Sequence, residues 1–257
     1  KVYVIMGSYL RGIHTPHRKG TKNSPAIRMD VPETVTIPMA MHIGKPSVPT
    51  VKVGDLVKVG TKIGISDGYI SSDIYSSVSG KVVKLTDYLL YNGSTTTAIV
   101  IESDGEMTPD EAITPPVIND KKDLVDAVKA SGIVGLGGAG FPTYVKLDVD
   151  PERIDYLIIN GAECEPYITC DYRQMLENGE IIVSGVKIAL QLFSNAKAYI
   201  CVEDNKMDAI EHLKTLCKDV ENVEMESGRY FLDDEFRAYN LRKPLIWRDI
   251  PSTVTQF

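Results

Sequence analysis

The chain has 257 residues and a mass of 28.3 kDa, enough for one large domain or two modest ones. With 43% hydrophobic and 25% charged residues it has the composition of a folded globular protein, and no apolar run approaches the roughly 18–20 residues that cross a bilayer. A net charge of −7 and a pI near 5.2 speak against a general nucleic-acid binder while leaving room for a local anion site.

In chain order, the N-terminal run Lys1–Met6 is apolar but too short for the core of a secretory signal. Up to about Asp110 the chain reads as short strands: Thr34–Ile37, Val51–Val53, Leu56–Val59, Lys62–Ile65, Lys81–Leu85 and Thr97–Ile101. Gly54-Asp55, Gly60, Asp67-Gly68, Ser79-Gly80 and Asn92-Gly93 supply turns between most of them. Such spacing predicts a small all-β barrel or sandwich over residues 1–110. Residues 111–120 read as a linker, because Pro109, Pro115 and Pro116 disfavour regular structure around them.

From Lys121 the periodicity changes. Asp123–Lys129 has helical spacing, with Gly132 as its stop. Ile154–Asn160 is a nearly continuous apolar run, as a buried parallel strand requires. Asp171 is positioned to cap a helix whose apolar face includes Ile181, Ile188 and Leu192. A second buried strand, Ala198–Val202, precedes a helix capped by Asp204-Asn205 and carrying Ile210, Leu213 and Leu216. This βαβα alternation predicts an α/β layer with a parallel sheet over 121–225, followed by a tail over 226–257.

Cys164, Cys170, Cys201 and Cys217 form no C-x-x-C pair, so this chain by itself offers no ligand set for an iron–sulfur cluster or zinc ribbon, and they read as reduced thiols. His14 and His17 are the nearest approach to a metal-binding pair among the four histidines, and no metal site is assigned.

Two segments carry the chemistry. Gly135-Leu136-Gly137-Gly138-Ala139-Gly140-Phe141-Pro142-Thr143 satisfies G-x-G-x-x-G, but a helix rather than a strand precedes it and Pro142 follows at once. It is therefore not the usual dinucleotide turn. Its glycines still permit positive φ and let the backbone approach a flat or charged ligand. A helix starting after it would offer free N–H groups to a phosphate, and Lys146 would add positive charge. The second segment, Asn160-Gly161-Ala162-Glu163-Cys164-Glu165-Pro166-Tyr167, lies just past the carboxyl end of a predicted parallel strand, where open α/β sheets bind ligands. Asn160 suits the polar edge of a heterocycle, and Glu163 and Glu165 suit ribose hydroxyls. The alternative for the first segment is a turn packed on its own sheet, and for the second a solvated acidic loop.

In the first half, Val51–Gly64 and Ile74–Val82 resemble the two strand-and-turn units of biotinyl and lipoyl domains, which are flattened barrels. Such carriers need a lysine at the tip of the exposed hairpin. Here that slot falls near Tyr69, in Asp67-Gly68-Tyr69-Ile70, so the fold is implied without the swinging arm.

Together, the glycine loop and the Asn-x-x-Glu-x-Glu-Pro segment resemble the FMN-binding pattern of the NADH-oxidising flavoprotein subunit of respiratory complex I. The closer wording, Gly135–Thr143 with Ile159–Thr169, resembles the C subunit of the Rnf electron-transport complex, as do Gly12–Lys19 and Pro32–Pro46. Leu136 and Ala162 replace the Arg and Asp of the complex I pattern, in keeping with the Rnf version. The resemblance implies a lipoyl-like barrel-sandwich domain followed by a Rossmann-like α/β domain that binds FMN and NAD(H). It implies an oxidoreductase subunit of a translocase, passing electrons between nicotinamide, flavin and iron–sulfur clusters. By that resemblance Gly135, Gly137, Gly138, Ala139, Gly140 and Phe141 approach FMN, Lys146 faces its phosphate or ring, Asn160 its edge, and Glu163 and Glu165 the flavin or nicotinamide side. No residue is assigned as nucleophile or general acid. Cys-rich runs for 4Fe-4S clusters and the family's second nucleotide motif are not found, so the tail reads as truncated or discontinuous. Implied partners are the other subunits of a membrane electron-transport complex, with ferredoxin indirectly, at the cytoplasmic side of the membrane as a peripheral protein. A soluble relative such as a microcompartment cobalamin reductase, and a non-catalytic docking scaffold, stand as alternatives.

Overall fold

The first half of the computed structural model is built from short strands whose inward residues are mostly β-branched. The structure describes residues 16–136, 140–163, 165–193, 195–228 and 244–247. Strand β1 is Thr34–Pro38, β2 Val48–Pro49, β3 Leu56–Val57, β4 Lys62–Ile65, β5 Ile74–Tyr75, β6 Gly80–Leu89 and β7 Thr95–Ser103. They form two antiparallel sheets, ordered β1-β7-β6-β3 and β2-β4-β5. One core joins them: Ile37, Val82, Ile99 and Ile101 from the larger sheet, Ile63 and Ile74 from the smaller. This is the expected barrel-sandwich.

Two details differ from the sequence reading. Val51–Val53 is not a strand. The Asp55 carboxylate accepts the Lys52 N–H at 2.9 Å, and Gly54 turns the chain at φ +99°, leaving Val53 exposed. The edge strand is instead Val48–Pro49, paired with Ile65 and Gly64. In the Leu56–Val59 run, Leu56 and Val57 pair with β6, while Val59 makes an isolated parallel bridge to Pro109.

The second half begins with helix α1, Lys121–Ala130, whose N-cap Asp120 accepts the Asp123 N–H at 2.9 Å. Next come α2 (Thr143–Leu147), a 3-10 turn (Pro151–Arg153), β8 (Tyr156–Gly161), α3 (Cys170–Glu177) and α4 (Gly179–Leu190). They are followed by β9 (Lys197–Glu203), α5 (Met207–Cys217), β10 (Val223–Gly228) and β11 (Pro244–Trp247). The sheet is parallel throughout, ordered β10-β9-β8-β11. Pro244–Trp247, from the stretch read as a tail, thus pairs with β8 from Tyr156 to Ile159. Leu157, Ile159, Ile200 and Val202 pack against Met175, Ile182, Val186, Ile210 and Leu213 of the helices.

The single helix expected after Asp171 is two. Asn178 leaves helical geometry at φ −134°, ψ 31° and separates α3 from α4. Gly179 sits against α5, where a Cβ would lie 2.7 Å from Leu216 Cδ1 and 2.9 Å from His212 Nε2. The turn therefore brings backbone, not side chain, against α5. The N-cap of α3 is Thr169, with Asp171 inside the first turn, and the N-cap of α5 is Lys206 rather than Asp204-Asn205.

Candidate functional site

The glycine loop leaves α1 and closes on itself before α2. Gly135 N–H donates to Phe141 O at 3.0 Å and Thr143 N–H to Ile133 O at 3.0 Å, so Val134 and Pro142 bridge across its base. Gly137, Gly138 and Ala139 lie outside the described residues. Gly140 takes φ +60°, and a Cβ there would stand 3.0 Å from both His42 Cα and Met41 O of the barrel. Glycine is required at this point by conformation and by space. The expected helix N-terminus for a phosphate is not built: α2 has five residues, Thr143 N–H is used in the loop base, and Val145 N–H bonds Pro142 O. Lys146 Nζ lies 5.9 Å from the centroid of the Phe141 ring. Thr143 is buried, and its Oγ1 has no hydrogen-bond partner.

The second segment begins where β8 ends. Asn160 is buried, and its Oδ1 accepts the Ala162 N–H at 3.0 Å, turning the chain out of the sheet. Glu163 is 1% exposed. One carboxylate oxygen accepts the Asp171 N–H at 2.8 Å in the first turn of α3, a favourable place for negative charge. The other lies 3.6 Å from Lys19 Nζ and has no hydrogen bond. Glu165 is exposed, so of the two acidic residues expected to share one site only Glu163 is enclosed.

Lys19 organises this loop. Its ammonium donates to the carbonyls of Glu163, Glu165 and Ile168 at 2.8, 2.9 and 2.6 Å. Around it Tyr167 N–H bonds His17 O at 2.9 Å, Arg18 donates to Tyr167 OH at 3.2 Å, and Thr21 and Thr169 hydroxyls meet at 2.7 Å. Residues 17–22 are thus a strap over the loop, and Tyr167 is held at φ +69° beneath it. The sequence marks Lys19 only as the end of the family-like Gly12–Lys19 stretch; its position in space gives it a role.

Between strap and sheet lies a cavity of about 260 Å³ beyond the carboxyl ends of β8 and β9, lined by Lys19, Glu163, Thr169, Glu203, Asn205 and Lys206 among others. Lys206 is buried and ion-paired with Glu203. His17, Lys22 and Tyr172 complete the wall, and Tyr172 OH donates to Asp208 at 2.5 Å.

Glu163, Asp171 and Cys170 bring two carboxylates and a thiol within 4.8 Å of one another. Burial, then the charge of Glu163, pushes the Asp171 carboxyl up to about 6. Burial pushes the Cys170 thiol up to about 11 and Cys201 up to about 12, so both stay protonated at neutral pH.

Among the described residues, no helix is long and apolar enough to cross a membrane. The family model described as the RnfC barrel sandwich hybrid domain matches residues 8–106, and that of the Nuo51 FMN-binding domain matches residues 128–237. The C subunit of a Na⁺-translocating ferredoxin:NAD⁺ oxidoreductase complex from Acetobacterium woodii is 44% identical over 213 residues, covering 80% of this chain and 48% of that protein. Its counterpart in a proton-translocating complex from Clostridium ljungdahlii is 44% identical over 216 residues, covering 82% and 47% respectively. The C subunit of an ion-translocating oxidoreductase complex from Pasteurella multocida is 33% identical over 219 residues, 83% of this chain and 26% of that one. The chain therefore spans about half the length, or less, of the curated relatives it matches. With the barrel sandwich model matching first and the FMN-binding domain model second, this chain is a relative of the C subunits of Rnf-type ferredoxin:NAD⁺ oxidoreductase complexes over 80% of its own length.

Proposed function

We propose that the chain holds FMN between the glycine loop and the Asn160–Glu165 turn, and meets NAD(H) there, as part of an Rnf-type electron-transport complex. The observation that carries this reading is an enclosed polar atom without a hydrogen bond, Thr143 Oγ1, at the end of the glycine segment, close in sequence to the loop. Buried polar atoms in folded proteins nearly always have partners, so this hydroxyl calls for a ligand with its own polar groups, while Glu163 Oε2 in the second motif has the Lys19 ammonium at 3.6 Å as its ion-pair partner. Gly140 lets the end of the loop pack directly on the barrel, where a Cβ would stand 3.0 Å from His42 Cα and Met41 O. The residues therefore fit the group that the matching domain is named for.

When bound, FMN would exchange two electrons with nicotinamide and pass them on singly. The chain's own residues bind, orient and exclude water. The glycines of the loop, having no side chain, permit close backbone approach by a ligand. Asn160 holds the strand end, and Lys19 holds the Glu163 carboxylate in place. Glu165, exposed at the loop, is available to a nucleotide arriving from solvent. We assign the wider activity, electron exchange between NAD(H) and ferredoxin through iron–sulfur clusters outside these residues, to the assembled complex. Its other subunits are the partners, and the chain sits peripherally on the cytoplasmic face of the membrane.

Titrating the purified chain with FMN tests this. Quenched flavin fluorescence with 1:1 stoichiometry, and anaerobic bleaching of the flavin bands by NADH, are expected. Flavin that stays fully fluorescent at saturating protein would overturn the reading.

A further inference from the structure

The barrel carries a hairpin whose tip, in carrier domains, would present a lysine; here that tip faces the flavin domain. Tyr144 of α2 is buried, and its hydroxyl donates to the Tyr69 carbonyl. The two rings meet edge to face, centroids 6.5 Å apart at 82°. A second barrel segment, Met41–Ile43, lies under the end of the glycine loop, with Ile43 N–H donating to Gly140 O at 3.3 Å. At the start of the loop, Tyr75 OH donates to Ala130 O, and a Cβ on Gly132 would stand 2.5 Å from Asp73 O. Contacts thus fall before, at the end of and after the glycine loop, all from one side of the barrel.

These barrel segments are tied to one another as well. His42 Nε2 lies 3.2 Å from the Ser72 N–H nitrogen and 3.1 Å from Ser47 Oγ, and Nδ1 lies 3.1 Å from Ile43 O. Ser47 Oγ donates to Ser72 O at 2.6 Å, and Lys45 N–H to Ile70 O at 2.9 Å. His42 is buried, and these contacts tie the tip to the Met41–Ile43 segment.

We propose that the Tyr69 tip and the Met41–Ile43 segment form a latch that fixes the ends of the glycine loop, making the barrel a positioning wall of the flavin site in place of a carrier. This rests on the FMN reading for its purpose, though not for its geometry. Chain entropy gives the reason. A segment this rich in glycine is costly to order, and preordering it against a rigid partner lowers the cost of binding. His42 and Tyr144 are positioning residues, acting through Ile43–Gly140 and Tyr69.

The test compares Tyr144→Phe and His42→Ala with Ile101→Val, a barrel-core change away from the latch. Amide hydrogen exchange in the ligand-free chain is read at Gly135 and Thr143, whose N–H groups close the loop base, and at Ile158 in β8. Both latch variants should speed exchange at Gly135 and Thr143, leave Ile158 unchanged, and weaken FMN binding roughly three- to tenfold, the scale of one lost hydrogen bond. Ile101→Val should do neither. Exchange at the loop base that stays at the wild-type rate, or rises equally in Ile101→Val, overturns the latch. Faster exchange with unchanged FMN affinity overturns its positioning role. If the wild-type chain binds no FMN, the exchange measurement still decides the latch, and only the flavin reading fails.

Discussion

Two glycines at turns in this molecule meet opposite demands. At Gly80, which opens β6, the backbone takes φ +153°, and a Cβ would lie 2.0 Å from Glu102 O of the neighbouring strand. The ladder there is complete, and next to it Ser79 Oγ donates to Asp104 at 2.6 Å. At Gly140 the φ is +60°, yet the neighbouring Thr143 keeps a buried hydroxyl without a partner. Among the described residues the barrel leaves no buried side-chain polar atom without a hydrogen bond, and Thr143, next to the glycine loop, leaves one. On the proposed reading, that difference separates a scaffold from a binding surface.

Gly80→Ala should show the largest effect, a stability loss of about 3 kcal/mol or more by chemical denaturation. Flavin affinity of the protein that remains folded should be unchanged. Gly140→Ala should cost about 1–3 kcal/mol and also weaken FMN binding more than tenfold by fluorescence titration. Equal flavin affinity for the two variants would erase the distinction.

Glu163→Gln keeps an acceptor for the Asp171 N–H but removes the charge facing Lys19. A stability loss of about 1–2 kcal/mol is expected, since Lys19 keeps its three carbonyls. The Asp171 carboxyl should then titrate below its present value of about 6, because the Glu163 charge is one of its causes. Carboxyl NMR reads this directly.

Asp171→Asn carries the opposite sign. Its folded pKa of about 6 lies above the ordinary aspartate value of 3.8, so the folded state binds the proton more tightly. The ionised carboxylate therefore costs stability fully above pH 6, and the cost disappears as pH falls through 6 towards 4. The variant should be about 1–2 kcal/mol more stable than wild type at about pH 7.5, with the gap closing by about pH 4. A gap independent of pH would show that burial and Glu163 do not set this titration.

Thr143→Val should be within about 1 kcal/mol of wild type without ligand, because a partnerless hydroxyl is exchanged for a methyl. A clear loss of FMN affinity in the same variant would mark that hydroxyl as a ligand contact. Glu165→Ala, at an exposed position, should change stability by less than about 0.5 kcal/mol and show itself only in nucleotide binding by calorimetry.

Much of this architecture is legible in the residues. Alternation in Thr97–Ile101 marks a strand, the continuous apolar run ending at Asn160 marks a parallel one, and the two motifs locate the site. Period and turn chemistry are local, so they survive in one dimension. The two helix-cap misreadings have one kind of cause. Asp171 looks like a helix cap until Thr169 is held by Thr21, and Asp204-Asn205 look like one until Lys206 is buried against Glu203. In each case a partner distant in sequence, or a change in burial, overrode a local preference.

The all-β first half, the βα alternation of the second, the barrel without a carrier lysine and the two candidate motifs follow from the sequence by itself, because periodicity and special φ requirements act over a few residues. Only the tertiary structure decided that Lys19 gathers three carbonyls, that Glu163 is enclosed while Glu165 is not, and that His42 and Tyr69 bear on a loop far along the chain. Those roles depend on burial and on contacts across the chain, quantities that exist only once the two halves have packed.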